Sequence, residues 1–176
     1  FLLTYPNIQV EAYLSNQQVD LINQGYDLAI RLGKLHDSSM MAKKLGSRTN
    51  YVCASPAYIK QFGQPYSLSE LKNYQCLLGT REHWRFVEQG VEKQVKVSGR
   101  VRYNSGFSLV DAALHGMGIV QLPDYYVEQH IQRQELITLL DNFRESDDGI
   151  WALYPHNRHL SPKIRQLVDY LAEHID

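Results

Sequence analysis

The segment Asn104-Ser105-Gly106-Phe107-Ser108 carries the densest group of side chains able to hold a small molecule. It lies between an apolar strand pattern and a run bearing Leu109, Val110, Ala112, Ala113 and Leu114, so its hydroxyls and backbone N–H groups fall at a helix start. A helix start offers unpaired N–H groups and the positive end of the helix dipole, a setting for a carboxylate or another anion. The same residue types also cap helices with no ligand involved. A second candidate, Arg31-Leu32-Gly33, closes a short apolar segment. Arg31 could clamp an anion with its forked guanidinium or sit in a structural pair, and Gly33 allows either close approach by a ligand or a turn. Ser55, before Pro56, and Gln121, after Gly118, are further candidates for polar lining.

Motifs for catalysis are missing. The chain has no Gly-x-Ser-x-Gly, no His-Glu-x-x-His and no phosphate loop, so it points away from an enzyme and calls for no cofactor. His156 and His159 flank Arg158 at metal-ligand spacing but lack an evident third ligand. Gly116-Met117-Gly118 lacks the third glycine of a dinucleotide fingerprint and follows a helix instead of opening one. Cys53 and Cys76 sit in apolar surroundings and read as inert free thiols of a reducing cytosol, neither a disulfide framework nor a redox switch. Tyr125-Tyr126 opens a helix after Pro123, where aromatic rings suit either ligand lining or core packing.

The elements that must position these groups follow from periodicity. Residues 9–15 alternate polar with apolar Val10, Ala12 and Leu14, which predicts a strand. Asn16 then caps a helix over 17–23 that carries Val19, Leu21 and Ile22 and stops at Gly25, and 27–33 reads as a buried strand. Strand, helix, strand at this spacing predicts a right-handed parallel crossover. Further strands are expected over 40–45, 50–54, 84–88, 93–103, 118–123, 136–140 and 150–154. Helices are expected over 56–62, over 67–74 with Ser67 and Glu70 as a capping box, after Ser105 as far as Gly116, and over 125–133. Ser161-Pro162 opens a final helix that buries Ile164, Leu167, Val168 and Leu171 along one stripe. The polar stretch 141–149 has the composition of a linker. Together these predict an α/β fold with mostly parallel strands.

Composition bounds the rest. With 176 residues, 44% of them hydrophobic, the chain can bury a real core. Eighteen Lys and Arg against nineteen Asp and Glu leave a net charge of −1, no footprint for a polyanion, so DNA would have to be gripped by another segment. No apolar run reaches the roughly 18 residues that span a bilayer. Phe1-Leu2-Leu3-Thr4-Tyr5-Pro6 opens without Met and with apolar residues already at helical spacing, as though inside a helix.

Four stretches, in order, resemble the regulatory domain of LysR-type transcriptional regulators. The first is Tyr5-Pro6, Val19-Asp20-Leu21-Ile22 and Gly25-Tyr26-Asp27-Leu28-Ala29-Ile30-Arg31. Ala54-Ser55-Pro56-Ala57-Tyr58-Ile59, with Gly63 and Pro65, is the second. Ala112-Ala113-Leu114-His115-Gly116-Met117-Gly118-Ile119, ending in Leu122-Pro123, is the third. The fourth is Leu153-Tyr154-Pro155 with Leu160-Ser161-Pro162-Lys163-Ile164-Arg165. This resemblance implies two Rossmann-like lobes joined by two crossover segments, a periplasmic-binding-protein-like (type 2) fold, with 1–46 and 147–176 as lobe I and 47–146 as lobe II. It implies a small-molecule effector in the inter-lobe cleft, with Arg31 to Gly33 at that cleft and suited to an anion. It also implies a homodimer or homotetramer built on residues 9–23, promoter DNA bound only through an N-terminal winged helix-turn-helix absent from this chain, and no membrane. The family's first strand and the start of its first helix are absent as well. A periplasmic solute-binding protein of a transport system is the rival reading, because it shares the lobes and cleft.

Overall fold

The computed structural model describes residues 1–17, 20–35, 40–145, 148–155 and 161–175. Val19, His156, Arg158, His159 and Leu160, which entered the sequence reading, lie outside the described residues. In chain order the elements are β1 (Ala29–Leu32), β2 (Met40–Arg48), β3 (Asn50–Ala54), α1 (Pro56–Phe62), β4 (His83–Glu88), β5 (Val91–Lys96), α2 (Gly106–Leu114), β6 (Val120–Pro123), α3 (Asp124–Gln132), β7 (Ile137–Leu139), β8 (Asp148–Pro155) and α4 (Pro162–His174). Single 3-10 helices span Leu68–Asn73 and Asp141–Phe143. The chain divides into two compact units, Phe1–Ser47 with Asp148–Asp176, here the discontinuous unit, and Arg48–Asp147, the continuous unit.

In the discontinuous unit, the sheet runs in the order β1-β8-β2. The amphipathic α4 covers it: Ile164 and Val168 bury against Leu45, Ile150 and Ala152, with Leu28, Leu171 and Ile175 packed around them. Lys43 and Asp169 pair at 2.5 Å across the rim of this small core. Among the described residues before β1, neither the expected strand nor the expected helix forms. Residues 9–15 have no ladder partner, and Tyr13 and Leu14 are 64% and 92% exposed. An alternating pattern becomes a strand only when a neighbour accepts its hydrogen bonds, and no described strand lies beside this one. Residues 21–25 form a turn instead of a helix. Asp20, not Asn16, caps it, its Oδ1 accepting from the N–H groups of Ile22 and Asn23 at 3.1 Å. Those hydrogen bonds, Asn23's first among them, hold the Asp20 carboxyl below its usual pKa. With that first strand unformed, β1 pairs antiparallel with β8 instead of forming the first parallel crossover, Arg31 lying opposite Trp151.

The continuous unit packs on both faces of its sheet, whose order is β6-β3-β7 with antiparallel ladders. Side chains of β3 alternate between two cores. Val52 and Ala54 join Tyr58, Leu71, Trp84 and Phe86 on the side of α1 and the β4-β5 hairpin. Cys53 joins Leu109, Val110, Ala113 and Val127 on the side of α2 and α3. The hairpin turns at Gln89 and Gly90, both with positive φ, the signature of a two-residue turn. The expected strand over 93–103 stops at Lys96, and the chain then passes Cys76, whose N–H donates to Ser98 at 3.1 Å.

A short parallel layer survives beside the antiparallel sheet. Leu78 bridges Arg102 and Cys76 bridges Ile119, both in parallel, through bonds of 2.7 to 2.9 Å that involve Leu77, Leu78, Tyr103 and Ile119. Helix α2 therefore connects two parallel segments, the strand, helix, strand unit expected there. The segment Leu68–Asn73 is a 3-10 helix in which Glu70 accepts from the Tyr66 N–H at 2.8 Å and the Ser67 hydroxyl at 3.1 Å, so the two residues meet side chain to side chain and not through the reciprocal backbone bonds of the expected capping box. The supposed linker 141–149 contains a helical turn, the buried Glu145 and the start of β8.

Candidate functional site

Asn104 and Ser105 follow the parallel segment that ends at Tyr103, and Ser105 caps α2 by accepting from the Ser108 N–H at 3.4 Å. This is the carboxyl end of a parallel strand at a helix start, the place where open α/β sheets collect ligands. Among the described residues the N–H groups of Gly106 and Phe107 meet no acceptor, as expected of a first helical turn. Asn104 is exposed and Ser105 half-buried. Phe107 is 75% exposed, its ring meeting Tyr126 edge-on at 5.0 Å, and Tyr125 and Tyr126 lie 4.6 Å apart.

Gly106 is required there by close approach. A Cβ added at this position would sit 2.4 Å from Cζ of Tyr126, so only glycine lets the ring lie flat over the helix start. Burial raises the Tyr126 phenol pKa, the neighbouring Tyr125 adds to that, and Arg48 opposes it. Arg48 also donates to the Tyr125 hydroxyl at 3.2 Å. The result is an aromatic shelf edged by a cation and by free backbone donors. Tyr125 and Tyr126 were legible as a ring pair at a helix start, suited to lining or to packing; the approach of Arg48 was not, because it lies 77 positions from Tyr125.

Two of the polar lining candidates, Gln121 and Ser55, bond to backbone. Gln121 uses both ends of its amide on one backbone unit, Oε1 accepting from the Arg85 N–H at 3.2 Å and Nε2 donating to the Arg85 carbonyl at 2.8 Å. It ties β6 to β4 and has little left to offer a ligand. Ser55 is 3% exposed and caps α1, accepting from the Tyr58 N–H at 3.3 Å. Both arrangements have one cause: a polar group away from solvent must be satisfied, and backbone lay nearer than water.

In the discontinuous unit, Arg31 is half-buried and Leu32 is 42% exposed. Gly33 is buried at φ +102, donates to the Gly149 carbonyl at 2.8 Å and accepts from the Trp151 indole N–H at 3.0 Å. It ends the β1-β8 ladder as a turn that a side chain would strain. The structure thus brings Asn104, Ser105, Gly106 and Phe107 together in one unit and Arg31, Leu32 and Gly33 together in the other.

Burial pushes the thiols of Cys53 and Cys76 up to about 12. Both are buried and free, so at neutral pH they are protonated core groups, not nucleophiles. Among the described residues no group of three metal-ligating side chains gathers.

Two α/β units, one of which sets a helix start at the end of a parallel segment, are the architecture of a small-molecule-binding domain of the regulator type. The family described as the LysR substrate binding domain matches residues 1–176, and the chain belongs to it. The fold is accordingly the periplasmic-binding-protein-like type 2 fold. The HTH-type transcriptional activator TtdR of Escherichia coli K12 is 33% identical over 174 residues, 96% of this chain and 56% of that protein. An uncharacterized HTH-type transcriptional regulator of Haemophilus influenzae is 31% identical over 168 residues, 93% of this chain and 58% of that protein. The chain thus spans a little over half the length of these relatives. Among solved structures it resembles the CrgA regulatory domain, from a LysR-type regulator of Neisseria meningitidis, with a TM-score of 0.83 and 30% identity, covering 99% of this chain and 88% of that one. Full-length AphB, the Vibrio cholerae virulence activator, gives a TM-score of 0.83 at 28% identity, covering 98% of this chain and 60% of that one.

Proposed function

We propose that this chain is the effector-sensing part of a cytoplasmic LysR-type transcriptional regulator and performs no chemistry itself. A small molecule, an anion suiting best, is held by Asn104, Ser105, Gly106 and Phe107 in the continuous unit. Arg31, Leu32 and Gly33 are the corresponding strand end of the discontinuous unit. The observation that carries the reading is the α2 start, where Gly106 and Phe107 N–H groups stand free beside the exposed ring of Phe107. Sensing requires that the effector bind one conformation of the domain better than another, and this difference in affinity limits the response.

Promoter DNA would be contacted by another part of the full-length protein, since a net charge of −1 offers this chain no grip on a polyanion. Assembly into a homodimer or homotetramer would use residues 9–23, where exposed Val10, Tyr13, Leu14 and Ile22 provide apolar surface. The transport reading has no support among the relatives named above, which are regulators. A thermal-shift screen of small organic anions and neutral metabolites against this chain is the test. At least one chemical class should raise the melting temperature, with Phe107→Ala abolishing the rise. If no class does, or if the rise is indifferent to Phe107, the reading fails.

A further inference from the structure

The chain first passes from the discontinuous to the continuous unit between Ser47 and Arg48. Arg48 and Thr49, the residues that open the continuous unit, are both fastened to the start of α3. The β3-β6 ladder sets Asn50 opposite Pro123, so the next rung would join Thr49 to Asp124. Half of that rung is ordinary, the Asp124 N–H donating to the Thr49 carbonyl at 2.8 Å. The other half is not, because the Asp124 carbonyl already lies within α3. Its carboxylate takes the carbonyl's place, one oxygen accepting from the Thr49 N–H at 2.7 Å and the other from the Tyr125 N–H at 2.9 Å. Hydrogen bonds to an ionised carboxylate are stronger than those to a neutral carbonyl, so the first crossing and the first turn of α3 are held as one piece.

Arg48 extends this clasp to the aromatic shelf. Half-buried, it donates to the Tyr125 hydroxyl at 3.2 Å. Between ring centres, Tyr125 lies 4.6 Å from Tyr126, and Tyr126 lies 5.0 Å from Phe107. Gly106 lets the last contact close, since a Cβ there would stand 2.4 Å from the Tyr126 ring. A chain of contacts thus runs from the residue that opens the continuous unit to the exposed ring at the α2 start, every link inside that unit. The second crossing is anchored elsewhere: Glu145 pairs with Arg85 of β4 at 3.3 Å, and the Arg144 guanidinium lies 4.0 Å over the Tyr51 ring of β3. Tyr125 is 55% exposed, so water competes for its hydroxyl and the Arg48 contact adds little to stability. Its effect is to fix the direction of the ring.

We infer that Arg48 and Asp124 are positioning residues of the aromatic shelf: they set the Tyr125 and Tyr126 rings against Phe107 and carry a displacement of Phe107 to the first crossing between the units. This role presupposes the recognition surface proposed above at the α2 start. Coupling of this kind is reciprocal, so a change at Arg48 alters the seat of Phe107 and a change at Phe107 alters the hold on the crossing. Packed rings and hydrogen bonds suffice to carry it, because each link is in direct contact with the next.

The test needs no ligand: amide spectra and hydrogen exchange of the 176-residue chain are compared with those of its variants. Tyr125→Phe removes the hydroxyl and keeps the ring. It should shift the Gly106 and Phe107 amide signals, weaken the cross-peak between the Phe107 and Tyr126 rings, and speed exchange of the Thr49 N–H about two- to tenfold, the range of one ordinary hydrogen bond. Arg48→Gln should do the same, and Arg48→Lys, which still offers a donor, should restore most of it. Phe107→Ala, at the far end, should speed Thr49 exchange by a similar factor. Arg133→Gln removes an exposed charge at the other end of α3 and should change none of these signals. If Tyr125→Phe merely lowered the melting temperature and left the Gly106 and Phe107 signals in place, the contact would be structural and the positioning role overturned. Equal shifts with Arg133→Gln, or a Thr49 rate indifferent to Phe107→Ala, would overturn it as well. Each of these failures leaves the effector reading standing, since that reading is judged by the thermal-shift screen, and an empty screen would in turn leave the ring and exchange measurements as they are.

Discussion

The two units draw on the same vocabulary of short strands and amphipathic helices, but they close their cores to different degrees. In the continuous unit, β3 has a sheet neighbour on each edge and a packed layer on each face, and its alternating side chains supply two separate cores. In the discontinuous unit, among the described residues, one helix covers one sheet, the core cluster holds five buried side chains, and β1 has β8 on one edge only. Its first 28 residues contribute Leu21 to the buried set while leaving Leu3 and Leu14 almost entirely in solvent. Apolar residues stabilise only when something covers them. The lesson is that equal hydrophobic patterning produces unequal stability where the covering partner differs.

The largest test of that contrast is a pair of truncations. Phe86 is 1% exposed between the hairpin and α1, so Phe86→Ala should destabilise the continuous unit by about 3–5 kcal/mol through lost burial and a cavity. Leu14 is 92% exposed, so Leu14→Ala should stay within about 0.5 kcal/mol. Urea unfolding measures both. Equal losses would break the comparison and would mean that residues 9–15 are covered in solution, as a homodimer built on them would require.

The same contrast explains which parts of the fold were legible. Helix α1 is found at Pro56–Phe62 as expected because its signals are local: Ser55 caps it, Pro56 presets its first turn and Gly63 stops it. The hairpin follows equally from alternation around Gly90. Residues 9–15 carry just as clear a pattern, but a strand needs a neighbour, and the neighbour is not written in the pattern. The antiparallel pairing of β1 with β8 was hidden for the same reason, since Leu32 lies 118 positions from its partner Ile150 in the ladder's register. At the site, the helix start at Asn104 to Phe107 was legible from caps and spacing. The backbone bonds of Gln121 and Ser55 were not legible, because composition shows that a polar group exists, not which backbone atom will satisfy it.

A pH series sharpens the comparison next, because both cysteines lie in the continuous unit. Their thiols are raised to about 12 in the folded protein. Below the ordinary thiol value of about 8.5 both states keep the proton and stability is intact; above it the unfolded chain ionises first, so stability falls as pH rises toward 12. At pH 9.5 the loss should be about 1 kcal/mol per thiol. Each unit has its own tryptophan, Trp84 in the continuous unit and Trp151 in the discontinuous one. With Trp151→Phe, the fluorescence of Trp84 should report an unfolding midpoint that drops between pH 7.5 and 9.5, and replacing both cysteines with alanine should flatten the drop. A drop that persists without the cysteines would assign it to other groups.

Gly106→Ala comes third. The added Cβ forces the Tyr126 ring away from α2, a shift of a side-chain end and not of backbone, so the cost should be about 1 kcal/mol. The effect on recognition should exceed the effect on stability, because the shelf formed by Phe107 and Tyr126 is displaced. A stabilising metabolite found by the thermal-shift screen should lose most of its effect while the domain remains folded.

The smallest expected change separates a structural serine from a recognition serine. Ser55 and Ser105 do the same local job, each accepting an N–H three residues on, at 3.3 and 3.4 Å. Replacing either with alanine should cost about 1 kcal/mol or less, the usual worth of a helix cap. Their surroundings differ. Ser55 is sealed inside the core against Gly116, whereas Ser105 is half-buried beside the free N–H groups of Gly106 and Phe107. Ser55→Ala should therefore lower the melting temperature and leave the metabolite-induced rise as it was. Ser105→Ala should produce a similar or smaller drop and diminish the rise. If both variants diminished it alike, capping rather than contact would account for the result, and the α2 start would lose its claim to touch the effector.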